Sequence, residues 1–227
     1  MLKRFFKSKN GQMSEAFITI FFITFSGGLQ DAYTYIVRGG TFANAQTGNI
    51  VLMSMHLMDG NPGGFLKYLM PVTAFALGVI TAEQIGSLRN KFVYLHWRQL
   101  VLLIEILLLF LVAFIPADFN ELANSIVSFT CAMQVETFRK IDSHVFASTM
   151  CIGNLRSAGD ALSKWARTGE KVHLKTSLKY FAVIVSFASG AAIGGVLAEY
   201  LSYKLILVSC MFLFTGFVIM FLNGEPV

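Results

Sequence analysis

Charged side chains are scarce in this chain: Asp, Glu, Lys and Arg make up 14% of its 227 residues, whereas about 25% is typical of soluble domains. This shortage, together with 55% hydrophobic residues and a mean hydropathy of +0.63, excludes an ordinary soluble domain. The net charge of +5 does not indicate nucleic-acid binding, because the basic residues cluster at the ends of apolar segments. We therefore predict one integral membrane domain over residues 1–227, in contact with the lipid bilayer.

Cysteine is also scarce, and the motifs of common enzymes do not occur. Cys131, Cys151 and Cys210 lie in apolar or small-residue surroundings, without metal-ligand spacing, and an odd number argues against a disulfide framework. The sequence contains no HExxH, CxxC, Gly-rich phosphate loop or nucleophile elbow, and its four histidines are scattered. We expect no enzymatic activity, no metal site and no cofactor.

Six segments are apolar enough to cross a bilayer, for which about 20 residues suffice. These are residues 16–37, 67–88, 99–116, 121–139, 177–199 and 203–222. A basic N-terminus, residues 1–15, precedes the first, which lacks a small-x-small cleavage site and is predicted to be an uncleaved membrane helix. Two further segments, 41–60 and 144–166, are less apolar and are predicted to be short or re-entrant helical elements.

The distribution of basic residues favours six spans. If the two less apolar segments do not cross and the N-terminus is cytoplasmic, every Lys and Arg except Arg38, Lys67 and Lys204 lies on the cytoplasmic side. The positive-inside rule favours this arrangement, whereas two more spans would move many basic residues outside. We therefore expect a multi-pass protein of the bacterial inner membrane with an all-α fold.

A sequence element occurs twice. Gln30 lies twelve residues before Phe42 and is followed by Gly48 and Asn49, just as Gln134 lies twelve residues before Phe146 and is followed by Gly153 and Asn154. A second set, Ala74, Gly78, Ala82 and Glu83, recurs at one offset as Gly190, Gly194, Ala198 and Glu199. With six spans the two repeats, about 16–116 and about 121–222, are inverted, and inverted repeats place binding sites at their interface. A duplicated packing motif without a transport role is the alternative.

Residues 27–33 (GGLQDAY) and 40–49 (GTFANAQTGN) resemble the YoaK-type family of bacterial membrane proteins, a domain of unknown function. The resemblance covers the whole chain and implies a small inner-membrane protein with about six helices, without an established activity. Residues 83–91 are similar to the loop after the second helix of the major facilitator superfamily, although Ser87 and Leu88 replace its basic pair. This second resemblance implies a transporter-like half of six helices.

Polar residues of the repeated element are expected to line a substrate path. Asn44 or Thr47 is placed to cap a helix from about Ile50 to Met58, and such a helix inside the membrane would present free N–H groups to a substrate. The predicted path consists of Gln30, Asn44, Gln46, Thr47, Asn49, Gln134 and Asn154. The alternative is an extracellular loop with an interfacial cap and no ligand.

Three acidic residues, Asp31, Glu105 and Glu136, are candidates for coupling groups. A carboxylate in the hydrocarbon region is costly and normally faces a polar cavity or a partner. Glu105 lies among Leu and Ile residues far from any basic neighbour, whereas Asp31 could instead pair with Arg38 and Glu136 with Arg139.

Small residues at four-residue spacing are expected at helix contacts. These helix-packing candidates are Ala74, Gly78, Ala82, Gly190, Gly194 and Ala198. The spacing does not decide between contacts within one subunit and contacts in a homodimer, which six helices resembling half of a large transporter would suit.

The leading hypothesis is a transporter that moves a small polar or anionic metabolite across the inner membrane, with proton coupling through the three acids. A passive channel built on half-helices and a non-transporting membrane scaffold or partner subunit are the alternatives. The identity of the small-molecule substrate is open, and we expect no nucleic-acid partner.

Overall fold

The computed structural model describes residues 13–89, 96–141, 144–146 and 148–222. Within these ranges the chain forms eight α-helices and one pair of two-residue antiparallel strands. They are α1 (Phe17–Ile36), α2 (Gln46–Met58), α3 (Pro62–Ser87), α4 (Trp97–Val112), α5 (Asn120–Thr137), β1 (Lys140–Ile141), β2 (His144–Val145), α6 (Cys151–Thr168), α7 (Lys171–Leu201) and α8 (Ile206–Leu222). Two features named in the sequence analysis lie outside the described residues: the basic side chains of the N-terminus, and Lys91.

The six predicted apolar segments coincide with α1, α3, α4, α5, α7 and α8. Helix α3 begins at Pro62, earlier than hydropathy predicts, because the Asn61 side chain accepts a hydrogen bond from Gly64 N (2.9 Å) and caps it. Helix α4 ends at Val112, before Pro116, so it is shorter than the predicted segment 99–116. The predominantly helical architecture is therefore as expected.

Two stretches of the described chain are long and apolar enough to cross a membrane. They are Pro62–Ser87, in which an 18-residue window has a mean hydropathy of 1.6, and Lys171–Phe221, which contains α7 and most of α8 and in which such a window has a mean hydropathy of 2.2. Large apolar side chains are exposed on the outside of both, for example Leu77, Val185 and Phe214. Exposed apolar surface of this kind indicates association with a membrane.

Hydrogen bonds between helices give their directions. Ser186 Oγ donates to Phe21 O (3.0 Å), and further along the same two helices Gly194 packs on Ala32, so α1 and α7 run parallel. Asn124, in the first turns of α5, donates from Nδ2 to Arg38 O (2.9 Å), just beyond the end of α1. Helix α5 therefore begins on the side of the molecule where α1 ends and runs back in the opposite direction.

Helix α2 enters and leaves on one side of the molecule. After α1 ends, the chain returns to the middle of α1, where Asn44 Nδ2 donates to Gly27 O (3.3 Å). Helix α2 then leads back to the start of α3, where the Lys67 side chain lies near Gly39, beyond the end of α1. The element is thus a loop followed by a short helix, both on the side where α1 ends.

Helix α6 repeats this arrangement from the other side. Tyr180 Oη, in α7, donates to Val145 O (2.7 Å) in β2, and Ser177 Oγ donates to Ala158 O (2.9 Å) in α6. These contacts place the start of α7 beside β2 and α6, and Phe146 N, just after β2, donates to Arg139 O (2.9 Å), just beyond the end of α5. Between these elements the chain also reaches the middle of α1, because Thr149 packs against Gly27.

The helix contacts follow one pattern in both halves. Helix α1 packs on α7 and α8, as α5 packs on α3 and α4; α2 packs on α3, as α6 packs on α7. The buried apolar core lies mainly between α1, α4, α5 and α8, where Ile23, Leu102, Leu109, Val127 and Leu213 are fully buried. The helix contacts named here therefore form matching pairs.

The small-residue stripes make contacts within one chain. A Cβ at Gly78 would overlap the Phe129 carbonyl, and a Cβ at Gly190 would overlap the Phe25 carbonyl. Phe25 and Phe129 precede Gln30 and Gln134 by the same number of residues, so the packing matches Gly78 with Gly190. This register differs by one helical turn from the predicted pairing of Gly78 with Gly194.

Candidate functional site

The two loops that precede α2 and α6 converge on Gly27, a buried residue in the middle of α1. Its carbonyl accepts a hydrogen bond from Asn44 Nδ2 (3.3 Å), and a Cβ at this position would overlap Thr149 Cγ2. Because glycine has no side chain, Asn44 and Thr149 both lie directly against α1. The N-terminal ends of the two short helices are thereby brought close together.

The loop before α2 holds the Asp31 carboxylate. Asn44 donates to Asp31 Oδ1 from its backbone N (2.8 Å) and from Nδ2 (3.3 Å), and the backbone N–H of Ala43 also donates to this carboxylate. The prediction that Asn44 or Thr47 caps α2 is wrong, since the helix begins at Gln46 after Ala45 without a side-chain cap. The Asn44 side chain binds α1 instead.

Two predicted path residues hold the loop in shape. Asn49 exchanges hydrogen bonds with the Phe42 backbone, from Nδ2 to O (2.7 Å) and from N to Oδ1 (3.3 Å). Gln46 Nε2 donates to Ala43 O (2.7 Å) and to Ser128 Oγ (3.4 Å), which ties the first turn of α2 to α5. Because their hydrogen bonds fix the loop conformation, these residues position Asn44.

The corresponding residues of the second half lie at corresponding places. Asn154, in the first turn of α6, is buried, and Gln134 Nε2 donates to Ser148 Oγ (3.3 Å) in the loop before α6. Cys151, the first residue of α6, lies within electrostatic reach of Asp31. Thr47 differs from the other predicted path residues, because it is exposed in the first turn of α2.

A second buried polar cluster adjoins the first on the other side of α1. Gln30 Nε2 donates to Glu105 Oε1 (3.1 Å) and to Ser26 Oγ (3.2 Å), while Cys131 Sγ donates to Gln30 Oε1 (2.7 Å). Ser26 in turn shares a hydrogen bond with Ser209 of α8. The structure thus brings together Gln30 and Glu105, which were predicted separately as a path residue and a coupling acid.

The third acid has a different environment. Glu136 Oε2 accepts a hydrogen bond from Arg139 (2.6 Å) at the end of α5, and the Arg139 side chain is exposed. This is the ion pair that the sequence analysis gave as the alternative to a coupling role. Only Asp31 and Glu105 of the three acids belong to the two buried clusters.

Arg38 is a buried residue whose role the sequence analysis missed. Its Nε donates to Tyr33 Oη (2.7 Å), and its guanidinium donates to the carbonyls of Val112 (3.0 Å) and Ile115 (2.9 Å). Further contacts join it to Pro116 O, Asn120 Oδ1 and the ring of Tyr203. The proposed pairing of Arg38 with Asp31 is therefore wrong. The carbonyl groups in the last turn of a helix need hydrogen-bond donors. Pro116 indicates that α4 ends nearby, but the sequence does not show which residue supplies those donors.

The outer part of α6 is a charged, exposed helix. Lys164 Nζ lies 2.8 Å from Asp160 Oδ2, as the four-residue spacing predicts. The hydrogen bond from Lys164 lowers the pKa of the Asp160 carboxyl below its usual range. Exposed pairs of this kind contribute little to stability.

The comparisons with known proteins place the chain in one family. The family model described as "Protein of unknown function (DUF1275)" matches residues 19–219, which include most of α1, most of α8 and all the helices between them. No curated protein and no solved structure matches the chain. The prediction of an uncharacterised family is confirmed at this level: the chain belongs to the DUF1275 family, whose description assigns no activity.

Proposed function

We propose that this protein is a multi-pass transporter of the bacterial inner membrane that moves a small polar metabolite in exchange for, or together with, protons. The observation that carries the proposal is the convergence of the loops before α2 and α6 on Gly27. In this proposal α1, α3, α4, α5, α7 and α8 cross the bilayer, and α2 and α6 are re-entrant helices of two inverted repeats.

The helix directions support the inverted arrangement. Helix α1 leads to one side of the molecule and α5 leads away from it, since Asn124 binds the Arg38 carbonyl. Helix α2 returns to the side where α1 ends, and α6 returns to the side where α5 ends. Repeats that start in opposite directions are related by an axis in the membrane plane, which is common in transporters with midplane binding sites.

The charges on the two sides support a cytoplasmic N-terminus. The side that holds the starts of α1, α4 and α7 carries most of the basic residues, namely Arg89, Arg98, Arg139, Lys140, Lys164, Arg167, Lys171, Lys175 and Lys179. The opposite side carries Lys67, Lys204 and the buried Arg38. An excess of Lys and Arg is typical of the cytoplasmic side.

The polar residues at the convergence support a binding role. Asn44, Gln134 and Asn154 are polar, and each is more than nine-tenths buried. Irregular backbone such as the Asn44 loop is tolerated at membrane depth where protein or a water-filled cavity satisfies it. We therefore infer that the loops form part of a binding site rather than a surface connection.

The two buried acids support coupling. Asp31 faces the convergence of the short helices, whereas Glu105 lies on the other side of α1 and receives a hydrogen bond from Gln30. Within the described part of the chain, Glu105 Oε2 has no hydrogen-bond partner. Buried acids in membrane segments commonly serve as proton carriers. Here Asp31 lies on α1, and Glu105 binds the adjacent α1 residue, Gln30.

The test is flux in proteoliposomes that contain a pH-sensitive dye. Wild-type protein is challenged with outward or inward gradients of small carboxylates, amines, amino acids and polyols, and both uptake and internal pH are recorded. We expect at least one class to move with a change of internal pH. Glu105→Gln should abolish the pH change, whereas Glu83→Gln, at an exposed position of α3, should behave like the wild type.

The other outcomes separate the alternatives. Flux that is unchanged in both Glu105→Gln and Asp31→Asn and that causes no pH change would indicate a passive channel. An absence of flux across the panel, combined with specific recovery of a second membrane protein, would indicate a scaffold or partner subunit and would contradict the proposal.

A further inference from the structure

We propose that the convergence of α2 and α6 binds a positively charged group, either Na⁺ or the ammonium group of a small amine, through side-chain oxygens of Asp31, Asn44, Gln134 and Thr149. This inference rests on the proposed function for its role in transport, and it narrows the expected substrate class. The prediction from sequence allowed an anionic metabolite, since helix N-termini attract anions. The side chains at the convergence favour the opposite charge.

The site is built from buried oxygens that lack hydrogen-bond donors. Among the described residues, Asn44 Oδ1, Gln134 Oε1 and Thr149 Oγ1 have no hydrogen-bond partner. Their residues are 4%, 0% and 5% exposed, so each is more than nine-tenths buried. A buried polar atom without a partner is costly, and a ligand that donates to it removes that cost.

The orientation of the Asn44 amide follows from its other contacts. Its Nδ2 donates to two acceptors, Gly27 O and Asp31 Oδ1, so the nitrogen must occupy that end of the group. The Oδ1 atom consequently faces away from α1 as an acceptor. Oxygen and nitrogen of an amide are assigned from such partners, and here both partners are acceptors.

Contacts through Gly27 and the two loops link these residues to one another. Asn44 and Thr149 both contact Gly27, and the Asn44 side chain also lies beside the Cys131 thiol, one helical turn before Gln134 on α5. Gln134 is joined to the loop before α6 through Ser148. The three oxygens and the Asp31 carboxylate therefore come from α1, α5 and the two re-entrant loops.

The charge at the site suits a singly charged ligand. Asp31 supplies one carboxylate, and the other donors are neutral oxygens. Within the described ranges, no group of three or more His, Cys, Asp or Glu side chains is placed to hold a metal ion. One carboxylate with amide and hydroxyl oxygens matches Na⁺ or an ammonium group, both of which bind hard oxygen ligands, better than a transition metal.

The nearest buried guanidinium does not compete for this carboxylate. Arg38 donates to Tyr33 and to carbonyls at the end of α4. The negative charge of the Asp31 carboxylate offsets the partial positive charges at the N-termini of α2 and α6. A small zwitterionic or polar amine would suit this place, because its ammonium group would bind the side-chain oxygens and its acceptor group would bind the N-termini of α2 and α6.

The test is binding to the purified full-length protein in detergent, measured by thermal stabilisation and calorimetry in a choline chloride background. The probes are NaCl, methylammonium chloride and choline acetate at one ionic strength. We expect saturable stabilisation by NaCl, by methylammonium chloride, or by both, and no effect of acetate. Stabilisation by Na⁺ alone identifies a coupling-ion site, and stabilisation by methylammonium identifies an amine site.

Three variants test the assignment of the residues. Thr149→Val retains the methyl group against Gly27 and removes only Oγ1, and Asp31→Asn removes the charge; each should weaken binding at least tenfold. Thr19→Val is the matched control, since Thr19 is equally buried, its Oγ1 lacks a partner among the described residues, and it lies two turns away on α1. It should bind like the wild type.

Two results would overturn the inference: stabilisation by acetate without stabilisation by either cation, or cation binding that is unchanged in both Thr149→Val and Asp31→Asn. Flux measurements separate this inference from the proposed function. Cation binding without flux of any compound would retain the site and contradict transport. Flux of an anion without cation binding would retain transport and contradict the site.

Discussion

Gln30 of α1 donates a hydrogen bond to Glu105 of α4 across 3.1 Å, in a cluster that is sealed from solvent. The adjacent residue on α1, Asp31, faces the loop before α2 instead. Helix α1 therefore carries one buried acid, Asp31, and binds the other, Glu105, through the adjacent residue Gln30.

Glu105→Gln should separate folding from coupling. The substitution retains an oxygen that accepts from Gln30 and removes the exchangeable proton, so the variant should fold and purify like the wild type. Flux should fall at least tenfold and lose its dependence on the proton gradient. Glu105→Leu serves as the harsher comparison, because it leaves Ser26 as the acceptor for the Gln30 amide and removes the Glu105 oxygens, and it should also lower the melting temperature.

The contact between α1 and α7 should be intolerant of added volume. A Cβ at Gly28 would overlap the Phe187 carbonyl, and a Cβ at Gly190 would overlap the Phe25 carbonyl. Backbone atoms cannot move aside as a flexible side chain can, so each Gly→Ala variant should be destabilised by about 1–3 kcal/mol or more. Gly153→Ala is the control, since nothing lies within 4 Å of its Cβ position. Equal melting temperatures for the three variants in detergent would contradict the packing described here.

Arg38 should be essential for stability rather than for transport. Its guanidinium satisfies several carbonyls at the buried end of α4, and loss of charged hydrogen bonds of this kind costs about 1.5–3 kcal/mol each. Arg38→Met should therefore unfold or markedly destabilise the protein, and Arg38→Lys should rescue it only in part, because an ammonium cannot span the same acceptors. Arg139→Met, at the exposed pair with Glu136, should change stability by less than about 1 kcal/mol. An Arg38→Met variant as stable as the Arg139→Met control would refute this role.

His96 should make the start of α4 sensitive to acid. This residue directly precedes α4, caps the helix by accepting from Arg98 N, and forms a capping box with Gln99. Burial, with a smaller contribution from Arg98, lowers the pKa of His96 from 6.5 to about 4. As the pH falls, His96 is therefore protonated in the unfolded chain before it is protonated in the folded protein. The stabilisation is complete above pH 6.5 and is lost as the pH falls towards 4.

The size of this effect is small, because His96 is only half buried. After allowance for solvent screening, about 1 kcal/mol of stability should disappear between pH 7 and pH 4. His96→Asn retains a good N-cap without a titratable group. The melting temperature of the wild type should therefore fall more steeply with acid than that of His96→Asn, and parallel curves for the two proteins would show that His96 contributes nothing.

Sequence patterns predict the helices better than they predict their contacts. Hydropathy locates α1, α3, α4, α5, α7 and α8, because each buries or exposes a long apolar face. It places the starts of α3 and α7 too late, since the Asn61 cap and the polar first turns of α7 carry no apolar signal. The repeated Gln, Phe and Gly-Asn pattern falls on α1 and α5 and on the loops and first turns of α2 and α6, and both loops contact α1.

The contacts that complete the site depend on distances that a single sequence does not contain. Nothing in the pattern shows that Asn44 binds Asp31 instead of capping α2, or that Arg38 binds the end of α4 instead of Asp31. Both residues have several partners within reach along the chain, and the packing of α1 against other helices decides among them. The room for Thr149 beside Gly27 likewise arises only when α6 docks on α1.

The central claim, that α2 and α6 enter the membrane from opposite sides, is tested most directly by single-cysteine accessibility in intact cells. Probes at Met58 and Phe119 are compared with probes at Arg89 and Thr168, in a background without the three native cysteines and with retained thermal stability. The account predicts that positions 58 and 119 react with an impermeant maleimide from outside, and that positions 89 and 168 react only after permeabilisation. Labelling of position 58 from the cytoplasmic side, with position 119 labelled from outside, would show that α2 crosses the bilayer and would contradict the inverted arrangement.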